Sequence, residues 1–331
     1  MHNCLVGSEM CIRDRGMPTA DLIPDFLKAT EAAAIAASSW RGLGDGKGAD
    51  GAAVEAMRAI FDAVPFDGRV AIGEGERDDA PMLWIGEPLG SKQGDPNFPS
   101  IDIAVDPLEC TNHVANDLPN AMAVLAAAPR GTLLHAPDCY MDKIAGPSEI
   151  FDAISLEADV DYNIEGASDA LGKRPSDMQV VVMDRPRHED LIRNLKDMGI
   201  SPVLIGDGDI AAALNAADPD SEIDMLMGIG AAPEGVITAT ALRGLDAPFE
   251  GRLVFKNEGH RERAEEMIEG DIERIWSRDE LCSTEDSIFI GTGVCDGRTK
   301  GVEDLGQGSY TVHSEIIDVK SKEHYFVSTT I

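Results

Sequence analysis

The run Ile101-Asp102-Ile103-Ala104-Val105-Asp106-Pro107-Leu108-Glu109-Cys110-Thr111 ends an apolar strand on two carboxylates and a hydroxyl. Those groups suit metal-assisted attack on phosphate. Pro107 disfavours the helical region for Asp106, so the chain should leave the strand still extended, with Asp106 at its mouth and Glu109 one turn further on. Two carboxylates about 4 Å apart repel by roughly 4 kcal/mol at an effective dielectric of about 20, which is tolerable only if a proton or a cation intervenes. Oxygen-only ligands favour Mg2+, Mn2+ or Ca2+ over zinc. A strand end with a solvated acidic turn would carry the same residues.

Three further acids stand at comparable junctions. Asp50, in Ala49-Asp50-Gly51, opens a helical pattern and would serve equally as an N-cap. Glu74 sits in the Gly-flanked turn Gly73-Glu74-Gly75, where the alternative is an ordinary hairpin. Glu234 follows Gly230-Ala231-Ala232-Pro233 at a helix start, where a carboxylate also compensates the helix dipole. Taken together, these acids occupy strand-to-turn or helix-start positions, where open sheets build sites.

The elements that must position them follow from periodicity. Amphipathic helices are expected near 22–42 and 50–64, and strands near 69–73, 101–105, 121–127 and 132–136. No helical pattern separates those strands, which argues for antiparallel or mixed pairing. After a loop at 90–100 and a connection over 145–175, strand and helix alternate: strands at 179–183, 202–206 and 223–228, helices at 188–198, 209–217 and 233–244. That alternation predicts a parallel sheet. The fold class is α/β, with an α+β first lobe over 17–150 and an α/β second lobe over 151–331.

Composition narrows the partners. Against 28 basic residues stand 60 acidic ones, a net charge of −32, so nucleic acid and anionic membrane are poor partners. A phosphorylated substrate would be repelled too, unless cations reverse the field locally. No apolar run reaches the length of a membrane span. The six cysteines show no CxxC or zinc spacing, which fits reduced thiols and a cytoplasmic location. Residues 1–16 lack the pattern of a signal peptide and read as a leader, non-native or disordered, with Met17 as the start. Gly44-Asp45-Gly46-Lys47-Gly48 lacks P-loop spacing, and His113 beside the acidic loop reads as a structural hydrogen-bonder.

Residues 17 to about 245 resemble the class II fructose-1,6-bisphosphatases, particularly the bacterial type that also accepts sedoheptulose 1,7-bisphosphate. The resemblance rests on Ala49-Asp50-Gly51, Ile72-Gly73-Glu74-Gly75-Glu76-Arg77-Asp78-Asp79-Ala80-Pro81-Met82, Asp102 through Glu109, Ala136-Pro137-Asp138-Cys139-Tyr140-Met141, Met183-Asp184-Arg185-Pro186-Arg187-His188, Asp207-Gly208-Asp209 and Gly228 through Gly235. It implies stacked α/β/α/β/α layers shared with the lithium-sensitive sugar phosphatases, two or more Mn2+ or Mg2+ ions, and a homo-oligomer. By the same resemblance Asp50 and Glu74 correspond to ligands of one metal, and Asp106, Glu109 and Glu234 to ligands of another. Glu109, Cys110, Thr111, Tyr140, Arg185, Pro186, Arg187, Asp207, Gly208, Asp209 and Ala231 correspond to the sugar-phosphate site, with Thr111, Glu109 and Asp106 catalytic. On their own residues, the Arg185–His188 and Asp207–Asp209 segments would read as a helix entrance and a capped turn.

Two departures matter. The family reads Asp-Pro-x-Glu-Gly-Thr where this chain has Cys110, which strains the loop if that position needs a positive φ. The lysine that follows Gly-Asp directly in the family is displaced by one here, to Lys47. Beyond about Arg252 the match thins, although Gly291-Thr292-Gly293-Val294 resembles the family's late glycine turn.

Overall fold

The computed structural model describes residues 16–75 and 82–331; all but Gly16 of the expected leader, and Glu76 through Pro81 of the family motif, lie outside the described residues. The first part runs α1 (Ile23–Ser38), α2 (Gly46–Ala63), β1 (Asp67–Ile72), β2 (Pro88–Leu89), β3 (Ser100–Glu109), α3 (Thr111–Ala115), β4 (Met122–Pro129) and β5 (Tyr140–Ala145). The middle runs α4 (Val160–Leu171), β6 (Val180–Met183), α5 (Glu189–Asp197), β7 (Val203–Ile205), α6 (Asp209–Ala217), β8 (Met225–Ala231) and α7 (Ala232–Gly244). The rest is β9 (Phe249–Val254), α8 (Glu258–Met267), β10 (Ile275–Ser277), α9 (Arg278–Leu281), β11 (Ile288–Gly293), β12 (Glu303–Gly306), β13 (Ser309–Asp318) and β14 (Glu323–Thr330).

Two mixed sheets result. The first has the order β12-β13-β11-β4-β3-β1-β2, with β14 on the other side of β13; the second has the order β10-β9-β5-β8-β6-β7. In the first, β1 and β3 are parallel while β4 is antiparallel to both β3 and β11. The second is parallel only across β6, β7 and β8, because β5 enters it antiparallel between β8 and β9. The expectation of a parallel second sheet is corrected accordingly: strand-helix alternation describes three of its strands, and the others arrive from elsewhere in the chain. Nor do the sheets divide the chain near residue 150. β5 precedes that point and belongs to the second sheet, while β11 to β14 return to the first.

Apolar burial explains the stacking. The small-residue face of α1 (Ala29, Ala33, Ala37) lets it approach α2 and the first sheet, with Phe26 edge-on to Phe61 and Phe66. Between the sheets, α6 and α7 are buried on nearly every side, so α7 carries small and apolar residues around most of its circumference rather than along one stripe, with Glu234, Thr238 and Thr240 buried among them. Beyond the second sheet, Ile164 of α4 and Leu195 of α5 cover Val180 and Val182. Helices, sheet, helices, sheet and helices therefore lie in five layers.

Three local expectations change. Residues 132–136 form no strand, only the isolated bridge of Leu133 with Cys282. The stretch Gly291–Gly293 is the buried end of β11, not a turn. Asp50 lies inside α2 and does not cap it: that helix begins at Gly46, and Asp45 is the cap, its carboxylate accepting from the Gly48 amide at 2.8 Å.

Candidate active site

β3 continues through Pro107 to Glu109 instead of ending at Asp106. Asp106 pairs with Val124 and Glu109 with Met122, so two residues on β3 face one on β4 between these points. This bulge matters because side chains alternate along a strand, and Asp106 and Glu109 would otherwise point to opposite faces. The extra residue turns both carboxylates to one cavity. Pro107 has no amide to leave unpaired there, and the Leu108 amide donates to Asp106 Oδ1 at 2.9 Å. The next residue, Cys110, is buried in the left-handed region at φ 67° and ψ 50°, which meets the condition under which cysteine strains this turn. Thr111 then opens the short helix α3.

Other elements bring the remaining acids. Glu74 follows β1 on a turn whose Gly75 has φ 85° and whose Gly75 amide donates to Asp138 at 3.2 Å. Glu234 lies in the first turn of α7 after Pro233. Carboxylate oxygens of Glu74, Asp106 and Glu234 lie within 4.8 Å of one another. This trio takes one acid from the first expected metal set and two from the second, so the two sets adjoin. Asp50 reaches the same region from α2, and its charge acts on Glu74 and Asp106. Glu109 accepts from the Ile210 amide at 3.2 Å through Oε1.

Burial dominates the electrostatics. Desolvation, with help from neighbouring carboxylates, pushes the pKa of Glu74 up to about 8. Desolvation alone takes Asp50 to about 6. Glu234 rises to about 7, desolvation outweighing the nearby Lys143 ammonium. Desolvation first, and then like charges, lift Asp106 and Glu109 well above the ordinary carboxylate range. Among the described residues, buried Asp50 Oδ1, Glu109 Oε2 and Glu234 Oε2 have no hydrogen-bond partner. Orphaned anionic oxygens on hard ligands, clustered out of water, fit divalent cations of the Mg2+ or Mn2+ type.

The cavity, about 220 Å³, is lined by Glu74, Asp106, Glu109 and Glu234 together with Cys110, Thr111, Tyr140, Arg185, Arg187, Asp207, Asp209 and Ala231. Of the expected site residues, Asp50, Pro186 and Gly208 do not line it. Pro186 is exposed at the start of a 3-10 turn, and Gly208, at φ 94°, lies against Cys110 Sγ. Lys47 is exposed and does not line the cavity. His113 accepts its expected structural role, its Nδ1 lying 2.5 Å from the Pro119 carbonyl oxygen.

A cationic wall faces the acids. The Arg187 guanidinium lies 4.9 Å from the Tyr140 ring centroid, and donates to the Ile229 carbonyl at 2.7 and 2.9 Å. His188 fastens the same strand: its Nε2 accepts from the Ile229 amide at 2.7 Å, leaving Nδ1–H to donate to the Met183 carbonyl. Sequence reading missed two cations. Lys256 Nζ is 3.6 Å from the Tyr140 centroid. Lys143, 1% exposed, donates to Asp209 Oδ2 at 2.5 Å beneath the cavity. A side chain at Gly230 would put its Cβ 2.0 Å from Asp209 Oδ2, so the glycine is what allows β8 to pass over this pair. The larger cavity of about 530 Å³ lies across the second sheet against α4 and shares only Arg187 with the acid site.

A buried acid cage set against arginines and a tyrosine, between two sheets, suits the chemistry of a phosphoric monoester hydrolase. Residues 20–331 match the family described as bacterial fructose-1,6-bisphosphatase, glpX-encoded. A D-fructose 1,6-bisphosphatase class 2/sedoheptulose 1,7-bisphosphatase of Synechococcus sp. (strain JA-3-3Ab) is 43% identical over 327 residues, covering 92% of this chain and 94% of the relative. The protein of the same description from Prochlorococcus marinus (strain NATL1A) is 44% identical over 289 residues, covering 83% of this chain and 85% of the relative. The chain belongs to the glpX-type bacterial fructose-1,6-bisphosphatase family.

Proposed function

We infer that this protein hydrolyses the 1-phosphate of fructose 1,6-bisphosphate to give fructose 6-phosphate and inorganic phosphate, and that sedoheptulose 1,7-bisphosphate is its second substrate. One observation carries the reading: buried carboxylates with orphaned oxygens and the Arg187–Tyr140 wall share one cavity, in a chain matched along nearly its whole length by bisphosphatases.

Asp50, Glu74, Asp106, Glu109 and Glu234 would hold the cations, Mn2+ or Mg2+. When bound, these ions supply Lewis acidity and neutralise phosphoryl charge that would otherwise repel a nucleophile. The hydroxyl of Thr111 orients the attacking water, while Asp106 and Glu109 fix its side of the phosphate. Cys110 and Thr111 border the phosphate to be cleaved. Arg185 and Arg187 grip the distal phosphate, since a guanidinium matches phosphate oxygens bidentately. Asp207 and Asp209 accept from sugar hydroxyls, with Asp209 held for that task by Lys143, and Tyr140 and Ala231 close the sugar's flank.

The five-layer stacking supports placement among the lithium-sensitive phosphatases. Among the described residues no helix is long and apolar enough to cross a membrane, and Cys110, Cys139, Cys282 and Cys295 are free thiols, which agrees with the cytoplasmic placement we propose. A homo-oligomer, dimer or tetramer, belongs to the same proposal and is read by light scattering.

Phosphate release from fructose 1,6-bisphosphate, sedoheptulose 1,7-bisphosphate and inositol 1-phosphate, each with Mn2+, Mg2+ or chelator, tests the assignment. Turnover of the two bisphosphates, abolished by chelator, is expected. Preference for inositol 1-phosphate would point to another metal phosphatase, and binding without turnover in every metal to a catalytically silent homologue.

A further inference from the structure

We propose that Arg298 is a positioning residue of the active site, acting through α6. It lies in the segment after β11, in the layer of the first sheet, and its side chain is 3% exposed. Its Nε and Nη2 donate to the two carboxylate oxygens of the buried Glu315 on β13, at 2.7 and 2.6 Å. Glu315 is held in turn by His324 of β14 at 2.8 Å. The remaining edge of the guanidinium leaves the first sheet: Nη1 donates to Asn215 Oδ1 at 2.8 Å and approaches Asp218 Oδ2 at 3.3 Å. Those residues form the C-terminal end of α6.

The other end of α6 enters the active site. Asp209, its first residue, pairs with Lys143, and the next amide, of Ile210, donates to Glu109. The helix has nine residues and spans about 13 Å, with no glycine or proline to absorb a shift. A second path runs in parallel. The Arg298 amide donates to Asn120 Oδ1 at 2.9 Å, and a Cβ at Gly208 would lie 3.9 Å from Asn120 Cβ, so Asn120 backs the turn that presents Asp207 and Asp209.

The chemistry of the residue fits positioning better than cohesion. Apolar replacement of a buried ion pair is often neutral or stabilising, so stability alone gives little reason for an arginine here. What the planar fork adds is direction: with one edge locked on Glu315, the other has a single bearing, and α6 must meet it.

This inference rests on the bisphosphatase reading, and its test separates the two. Steady-state kinetics of the full-length enzyme with fructose 1,6-bisphosphate at saturating Mn2+ are measured for the wild type, Arg298→Lys, Asp209→Asn and the double variant. Lysine keeps the charge but cannot hold both partners. Arg298→Lys is expected to raise KM about tenfold, with kcat changed far less, and to have no further effect on KM once Asp209→Asn is present, because residues acting on one contact are not additive. Asn215→Leu, which frees only the α6 side, should raise KM in the same direction, and it carries the test if Arg298→Lys does not fold. An unmoved KM in the folded variants, even with a lowered melting temperature, or additive effects in the double variant, would overturn the inference and leave the bisphosphatase reading standing. A wild type silent toward the bisphosphates in every metal sinks both.

Discussion

Lys143 Nζ and Asp209 Oδ2 meet at 2.5 Å with both side chains nearly closed off from solvent, and the ammonium also acts on Glu234. The Lys143 side chain thus stands beneath the acid cage and links Asp209 to Glu234.

Removing that cation leaves a buried carboxylate without compensation. Lys143→Met should cost about 3–5 kcal/mol of stability, the usual penalty for breaking a buried pair from one side. Urea unfolding measures it. Lys143→Met with Asp209→Asn should recover most of the loss, whereas a double variant as unstable as the single one would show that the pair is not the cause.

Cys110→Gly should relieve the left-handed turn. An L-residue there costs roughly 1–2 kcal/mol, and glycine returns about 0.5–1 kcal/mol of that through unfolded-chain entropy. The expected net gain lies between zero and about 1.5 kcal/mol, with turnover preserved or raised. A sharp loss of turnover in the folded variant would mean that the enzyme depends on the thiol.

Glu234→Gln keeps the volume and removes a charge from the cage. Apparent Mn2+ affinity, by calorimetry, should fall at least about tenfold, activity should fall with it, and the circular dichroism spectrum should stay unchanged. Normal affinity with full activity would remove Glu234 from the site.

Raised carboxyl pKa values fix the sign of the pH dependence in chelator. Glu74 at about 8, Glu234 at about 7 and Asp50 at about 6 all lie above their ordinary values, so the native state holds more protons than the unfolded chain between about pH 4 and pH 8. The contribution of these three acids to stability is then greatest below that window and declines as pH rises through it. Saturating Mn2+, which binds the deprotonated cage, should flatten or reverse the slope. Urea midpoints at pH 5 and pH 8, with chelator and with Mn2+, read the effect; chelated midpoints independent of pH would refute it.

Some of the site was legible in sequence because its signals are local. Asp106 and Glu109 stand out against an apolar run broken by proline, and Glu74 against paired glycines. The bulge that makes Asp106 and Glu109 face together was not legible, since register is a property of two strands and β4 lies beyond the turn. Asp50 looked like a cap because Gly46 and Gly48 hid the true start of α2. Lys143 resembled any outward lysine on an alternating strand, and only Asp209, 66 residues away, reveals its direction. The return of β11 to β4 carries no local mark at all, and strand-helix alternation could not foresee β5 entering the second sheet in reverse.

That return has a consequence for the chain as it is made. β4 has β3 on one side from early in synthesis, but its other flank waits for Ile288–Gly293, more than 150 residues later. A nascent chain leaving the ribosome therefore carries an open edge on β4, the neighbour of the strand that bears Asp106 and Glu109, through the emergence of α4 to α9. Asp50, Glu74, Asp106 and Glu109 are translated well before the strand that completes the sheet beside them, and Glu234 joins them between the two events.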